Sequence, residues 1–253
     1  MKQEDRPVDK TARAARTGAA SAMRRKYGLR LGGRLVVVAI ACYLYFTAPQ
    51  VFCILEPGAF LSDFSPLHLL WLLWMGDMFL QMRPARGLMA LGSQKQFGRF
   101  YRPVEGGFDR EELNAYVKQA NAGAIKVALV WGVLTALIGV GAHIGVLQGK
   151  ELALLAVLFY LCDLICVLVW CPFQTFWMKN KCCTTCRIFN WDHLMMFSPF
   201  AFQPGFFAKS LFWCSAVIVL IWEEVWHRHP EWFWEGSNQA LKCRSCTDRL
   251  CGR

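Results

Sequence analysis

The sequence predicts an all-α protein, a polytopic bundle of transmembrane helices, and three observations lead to that prediction. Hydrophobic residues make up 55% of the 253 residues, and tryptophan alone occurs 11 times. The apolar residues are gathered into runs close to the length that crosses roughly 30 Å of hydrocarbon. Basic residues flank these runs, as expected of segments that meet anionic lipid headgroups. The chain therefore has little room for a separate soluble core.

Several segments fit the length and composition of membrane spans. They are residues 34–55, 62–82, 124–147, 152–178, 193–208 and 210–226. The segment 193–208 is the weakest because it is short and contains Pro199 and Pro204, so a re-entrant segment is the alternative there. The prediction is therefore six spans, with five as the alternative.

Three polar regions lie outside the bundle, which covers residues 34–226. Residues 1–33 form a basic tail that we expect to be largely disordered. Residues 83–123 form the one sizeable loop, in which Asp109 precedes a helical pattern and is expected to cap it. Residues 227–253 form a cysteine-rich tail.

The distribution of positive charge predicts the orientation. With six spans and a cytoplasmic N-terminus, all but two of the 28 Lys and Arg residues lie on the cytoplasmic side, the exceptions being Lys150 and Lys209. Five spans would place the basic C-terminal tail outside, against the positive-inside rule. We therefore expect a cell (inner) membrane protein with both termini cytoplasmic. Anionic headgroups account for the net charge of +10, so no nucleic-acid partner is expected.

Two C-x2-C pairs carry the strongest chemical signal. Cys183 and Cys186 follow the fourth span, and Cys243 and Cys246 lie in the C-terminal tail. Both pairs are predicted at the cytoplasmic face, where thiols stay reduced. Two residues between cysteines let both sulfurs face one ion, so two pairs complete a tetrahedral site. Spare ligand candidates are Cys182, Cys251 and His193.

The predicted metal is zinc, with an iron–sulfur cluster as the alternative, since both accept four cysteine ligands. A metal-free thiol–disulfide pair and simple unliganded thiols also stay open at these positions. The spacing between the two pairs exceeds that of ordinary zinc ribbons, and we explain the excess by two membrane spans that leave and return to the same face.

Asp163 is the second chemical feature, because it lies within the apolar fourth span. A carboxylate in hydrocarbon is costly, so it must face the bundle interior or become protonated. Its expected role is in a proton or ion path, or in contact with a substrate. The alternative is a neutral carboxyl that is hydrogen-bonded to another helix.

No nucleotide-binding, zinc-protease or hydrolase motif occurs in the sequence. Three classes of function are therefore open. The first is a structural or interaction subunit of a membrane complex, held by the metal site, which implies partner subunits and no enzymatic activity. The second is a membrane redox protein that uses an iron–sulfur cluster or a thiol pair. The third is a transporter or channel that uses Asp163. We rank them in that order.

Overall fold

The structure is a computed structural model that describes residues 7–62, 64–83 and 89–246, with side chains from residue 24 onward. Its α-helices are α1 (Pro7–Thr47), α2 (Ala59–Ser62), α3 (Leu67–Met82), α4 (Leu91–Gln94), α5 (Arg110–His143), α6 (Gly149–Leu168), α7 (Asp192–Phe197) and α8 (Phe206–Arg228). Short turns of 3-10 helix lie at Pro49–Leu55, Gly98–Phe100, Cys183–Thr185, Phe189–Trp191, Ser198–Phe202, Pro230–Phe233, Gln239–Leu241 and Cys243–Ser245, and a π-helical turn lies at Phe173–Met178. The described ranges contain no β-strand, which confirms the all-α prediction.

Four helices are long and apolar enough to cross a membrane: the Arg24–Thr47 part of α1, and α5, α6 and α8. Their faces carry large apolar side chains in exposed positions, such as Leu129 of α5 (65% exposed) and Leu220 of α8 (68% exposed). Apolar surface of this extent is suited to contact with lipid. Helix α3 is also apolar but has only 16 residues, which corresponds to about 24 Å of helix.

Asp109 caps α5 as the sequence predicts, because its Oδ1 accepts a hydrogen bond from the backbone N–H of Glu111 (2.8 Å). At the centre of the bundle, α3, α7 and α8 pack around Trp74 and Phe197, whose ring centroids are 5.1 Å apart. Both side chains are almost fully buried. The apolar core is therefore formed between helices, as expected of a helical bundle.

The fourth span is shorter than the sequence predicts. The prediction extends it to residue 178, but α6 ends at Leu168. Pro172 explains the difference, because proline cannot donate a helical hydrogen bond and disfavours the helical conformation in the residue before it. The chain leaves the helix axis there, and Lys179 adopts a left-handed backbone conformation (φ 51°) in the turn that follows.

The fifth predicted span, residues 193–208, is not one continuous helix. It consists of α7, a 3-10 turn and an extended break before α8. At one end, Trp191 Nε1 donates to Glu223 Oε1 (2.8 Å), near the last turns of α8. At the other end, Gln203 lies just before α8 begins. Its Nε2 donates to the carbonyl oxygen of Leu55 (2.8 Å). The broken segment therefore runs beside α8 over most of its length.

The loop before α5 and the chain after α8 pack together into one unit, which we call the cap (residues 89–109 and 229–246). The backbone N–H of Val104 donates to the carbonyl oxygen of Ser237 (3.1 Å). Tyr116, near the start of α5, donates to the carbonyl oxygen of Phe233 (3.0 Å). These contacts place the start of α5 and the end of α8 at the same end of the bundle.

Candidate functional site

Asp163, the intramembrane acid singled out by the sequence, is paired with an arginine. Its Oδ2 lies 2.6 Å from Nη1 of Arg34 on α1. The same nitrogen donates to the carbonyl oxygen of Tyr160 (2.5 Å), and the guanidinium carbon lies 4.1 Å from the centroid of the Tyr160 ring. An opposite charge thus compensates the carboxylate, and the pair joins α1 to α6.

A second charged group surrounds His193, which the sequence offers as a spare metal ligand. Its Nε2 lies 3.3 Å from Oδ2 of Asp77 on α3, and its Nδ1 lies 3.0 Å from Oδ1 of Asp192. The side-chain amide nitrogen of Gln81 is 3.2 Å from the same Nδ1. Because His193 is only 3% exposed, these groups enclose its ring and connect α3 to α7.

A cavity of about 120 Å³ lies between α5, α6 and α7, next to the charged residues. Its chemically active lining consists of Cys162, Cys166, Cys171, Cys183, Cys186, Asp163 and Asp192. The remaining walls are aromatic and aliphatic side chains, among them Trp131 and Phe173. We call this space the thiol cavity. Five of the 12 cysteines of the chain converge on it, which makes it the most distinctive site in the described structure.

Three thiols of the cavity are close neighbours, because the chain turns back toward α6 after the helix ends. The Cys183 thiol donates to Oε1 of Gln174 (2.9 Å) and lies 3.2 Å from the carbonyl oxygen of Cys166. The sulfur of Cys171 accepts a hydrogen bond from the backbone N–H of Gln174 (3.4 Å). Gln174 thus contacts both Cys171 and Cys183, and these two cysteines line the cavity together with Cys166.

Hydrogen bonding and burial set different charge states for the thiols that lie beyond the end of α6. Hydrogen bonds from Cys166 and Cys183 lower the pKa of Cys171. The pKa of Cys183 is raised, because the neighbouring Cys171 and burial both disfavour a thiolate at this position. Burial also raises the pKa of Cys186 to about 11. Cys171 is therefore the member of this group that is best suited to be a thiolate nucleophile.

The four cysteines of the predicted metal site are placed in different surroundings. Cys183 lies in the thiol cavity, and Cys186 is buried in an apolar cluster. Cys243 is exposed and Cys246 is partly buried, both in the cap. Within the part of the chain that the structure describes, no group of three or more His, Cys, Asp or Glu residues is arranged to hold a metal ion. The zinc site and its iron–sulfur alternative stay predictions.

The spare ligand candidates Cys182 and His193 also lie in surroundings that differ from each other. The sulfur of Cys182 lies 3.2 Å from Oγ1 of Thr184, and His193 lies between the two carboxylates described above. Cys251 lies outside the described residues.

Sequence reasoning missed Arg34 and Gln174 and gave Cys171 no role. A signal exists for Arg34, because a charged residue at the edge of an apolar span predicts a partner, and Asp163 was the obvious one. Cys171 stands immediately before Pro172, so the end of the helix there could have been anticipated. Nothing in the sequence indicates that the following turn returns Cys183 to Cys171.

The four long apolar helices and their exposed apolar faces are compatible with an integral membrane protein. The chain matches no known protein family, no curated protein and no solved structure. Its function is therefore inferred from the thiol cavity and the charges around it.

Proposed function

We propose that the protein is a six-crossing cell (inner) membrane protein that carries out dithiol–disulfide exchange through Cys171 and Cys183. The observation that carries this proposal is that Cys171 and Cys183 line one cavity beyond the end of α6 and that both contact Gln174. The sequence leaves a metal-free thiol pair open only at the C-x2-C positions, so the pairing of Cys183 with Cys171 is a new assignment, and we rank it ahead of the interaction subunit.

The packing of the cap supports six crossings. The loop before α5 and the chain after α8 touch through Val104 and Ser237, so both belong on one side of a membrane. An even number of crossings must then separate them, and α5, α6, the broken segment and α8 supply four. Helices α1 and α3 supply two more before the loop. A five-crossing chain would leave the contacts of the cap unexplained.

The charges support a cytoplasmic location for the cap and for both termini. Lys95, Arg99 and Arg102 lie in the loop portion of the cap, whereas Lys150 stands at the opposite end, where α6 begins. The positive-inside rule places the end with more Lys and Arg in the cytoplasm, where anionic headgroups contact it. The thiol cavity then lies toward the cytoplasmic end of the bundle, within reach of cellular thiols and disulfides.

The geometry assigns a role to each thiol. The thiolate of Cys171 attacks one sulfur of a partner disulfide, and the partner's other sulfur leaves as a thiolate. The sulfur of Cys183 then attacks Cys171, closes an intramolecular disulfide and releases the second partner sulfur. The partner gains two electrons and two protons, one from the Cys183 thiol and one from solvent, because Cys171 attacks as a thiolate. The reverse sequence transfers the disulfide from the protein to a partner dithiol.

The test is an exchange titration. The full-length protein in lipid nanodiscs is equilibrated with glutathione mixtures of graded redox ratio, its free thiols are alkylated, and its mass is measured. We expect one disulfide to form reversibly, and we expect Cys171→Ser and Cys183→Ser to abolish it. The matched controls are Cys42→Ser on α1 and Cys214→Ser on α8, which should leave it intact. Failure of the wild type to form a disulfide, or formation in both site variants, contradicts the proposal.

A structural or interaction subunit of a membrane complex is the second candidate. Arg187 favours it, because its guanidinium donates to both carboxylate oxygens of Glu223 (2.7 and 2.5 Å) and its Nε donates to Asn121 (3.2 Å). This buried arginine fixes the chain before α7 to α5 and α8, and a rigid cytoplasmic face is suited to binding a partner subunit. Co-purification of a stoichiometric membrane protein would support this candidate.

The zinc site is tested on the same preparation. Stoichiometric zinc that is lost in a Cys243→Ser/Cys246→Ser variant would support a metal site between the two pairs. Iron with visible absorption would support the cluster alternative instead. A transporter that uses Asp163 is the least favoured class, because Arg34 compensates that carboxylate.

A further inference from the structure

We infer that the thiol cavity binds the ring of a lipid-soluble quinone, which accepts the two electrons released when Cys171 and Cys183 form a disulfide. This inference rests on the proposed dithiol–disulfide function and names its electron acceptor. It is carried by the shape and chemistry of the cavity walls, by the charges at its edge and by an exposed residue in one of its walls.

Aromatic side chains form the part of the cavity wall that faces the thiols. Trp131 of α5 packs edge-on against Phe159 of α6, with ring centroids 5.1 Å apart. Phe173, in the turn after α6, lies 6.0 Å from the same indole. Aromatic walls of this kind favour a flat apolar ring as the ligand. The volume of about 120 Å³ is many times the roughly 10–15 Å³ that holds one water molecule.

One wall of the cavity includes a residue that is exposed on the outer surface of α6. Cys162 lines it and is exposed, although it lies within the apolar helix α6. Val169 and Trp170, at the end of the same helix, are 75% and 53% exposed. In a membrane the exposed side of Cys162 faces hydrocarbon, so a lipid-soluble ligand can reach this wall of the cavity.

The charges at the cavity exclude the other common two-electron acceptors. Asp163 and Asp192 line it, and its described lining contains no Lys or Arg. Flavin and nicotinamide cofactors carry phosphate groups, which no cation in the described lining would bind. A quinone carries two electrons without a phosphate, so its chemistry matches both the walls and the charges.

The reaction is balanced without a further reactant. The thiols of Cys171 and Cys183 lose two electrons and two protons as the sulfur–sulfur bond forms. The quinone gains the same two electrons and two protons, and both of its carbonyl oxygens become hydroxyls. The products are one intramolecular disulfide and one quinol, and a partner dithiol returns the pair to its reduced state by exchange.

The experiment mixes the reduced, full-length protein in nanodiscs with ubiquinone-1 under anaerobic conditions and follows quinone absorbance and disulfide content. We expect one quinol for each disulfide formed. Val167 lines the cavity, so Val167→Phe should slow quinone reduction about tenfold or more, and a thermal unfolding midpoint equal to that of the wild type shows that the variant is folded. Val169→Phe, two residues away on the exposed side, is the matched control and should behave as the wild type.

The outcomes separate this inference from the proposed function. A wild type that exchanges disulfides with glutathione but does not reduce ubiquinone-1 overturns the quinone inference and leaves the proposed function standing. The quinone inference is also overturned if Val167→Phe reduces the quinone as fast as Val169→Phe. If glutathione exchange itself fails, the proposed function is wrong. Displacement of ubiquinone-1 by oleate, in a wild type that reduces no quinone, would assign the cavity to a lipid chain instead.

Discussion

Arg34 of α1 and Asp163 of α6 form an ion pair within the apolar part of the bundle, with 2.6 Å between Nη1 and Oδ2. The two residues lie far apart in the sequence, so their contact fixes how α1 and α6 pack. It also holds Asp163 at the wall of the thiol cavity. The pair thus connects the packing of the bundle to the shape of the candidate site.

Breaking this pair on one side should be strongly destabilising. We expect Asp163→Leu to lower the free energy of unfolding by about 3–5 kcal/mol, because it leaves the Arg34 guanidinium without a counter-charge in apolar surroundings. The Arg34→Leu/Asp163→Leu double variant should recover a large part of that loss. Unfolding in mixed micelles measures both values. Equal stabilities of the single variant and the wild type would show that the ion pair does not stabilise the fold.

A second arginine–carboxylate pair, Arg187 with Glu223, allows a prediction with a neighbouring control. Glu223 accepts two hydrogen bonds from Arg187 and one from Trp191, so Glu223→Ala leaves a buried arginine unpaired and should cost about 3–5 kcal/mol. The next residue, Glu224, forms an exposed ion pair with Arg228. Glu224→Ala should cost about 0–1 kcal/mol. Similar losses in the two variants, measured by thermal unfolding, would be inconsistent with the packing of α8 described here.

The six-crossing topology predicts which cysteines react from each side. A cysteine placed at Leu147, in the turn between α5 and α6, should react with a membrane-impermeant maleimide in intact cells. The exposed Cys243 of the cap should react only after the membrane is permeabilised. Each position is measured in a variant that retains no other cysteine, with fluorescence of the labelled band as the readout. Labelling of Cys243 from outside intact cells would exclude the topology.

The buried thiol of Cys186 predicts a pH dependence. Burial raises its pKa to about 11, so the neutral thiol predominates near neutral pH. Its alkylation rate should rise about tenfold for each pH unit between about pH 7 and 10, because only the thiolate reacts. The measurement is the rate of N-ethylmaleimide labelling, followed by peptide mass spectrometry. A rate that is already constant above about pH 8 would contradict the burial of this side chain.

The sequence predicts the helical class because apolar runs of spanning length have few other stable structures. It predicts the capped start of α5 at Asp109 because the cap is a local interaction. The apolar run alone extends the fourth span to residue 178, and only Pro172 signals that the helix ends earlier, because hydrophobicity does not report the break. Residues 193–208 fit either a span or a re-entrant segment, because their composition is that of a span but Pro199 and Pro204 interrupt the run.

The candidate site is less predictable because it depends on contacts between distant parts of the chain. Asp163 stands out in the sequence as a charge within hydrocarbon, but its pairing with Arg34 follows from how α1 and α6 pack. The C-x-x-C spacing of Cys183 and Cys186 suggests one shared ion. The turn after α6 brings both residues to the wall of the thiol cavity, where Cys183 contacts Gln174 and Cys186 also packs in an apolar cluster.

The most direct test of the central claim is the oxidation state of Cys171 and Cys183 in living cells. Thiols are trapped by rapid acidification and alkylation, and the peptides of the isolated protein are mapped by mass spectrometry without reduction. We expect a disulfide between Cys171 and Cys183 in part of the protein molecules, and in a larger part after brief exposure of the cells to an oxidant. Recovery of both residues only as alkylated thiols, before and after the oxidant, would contradict it.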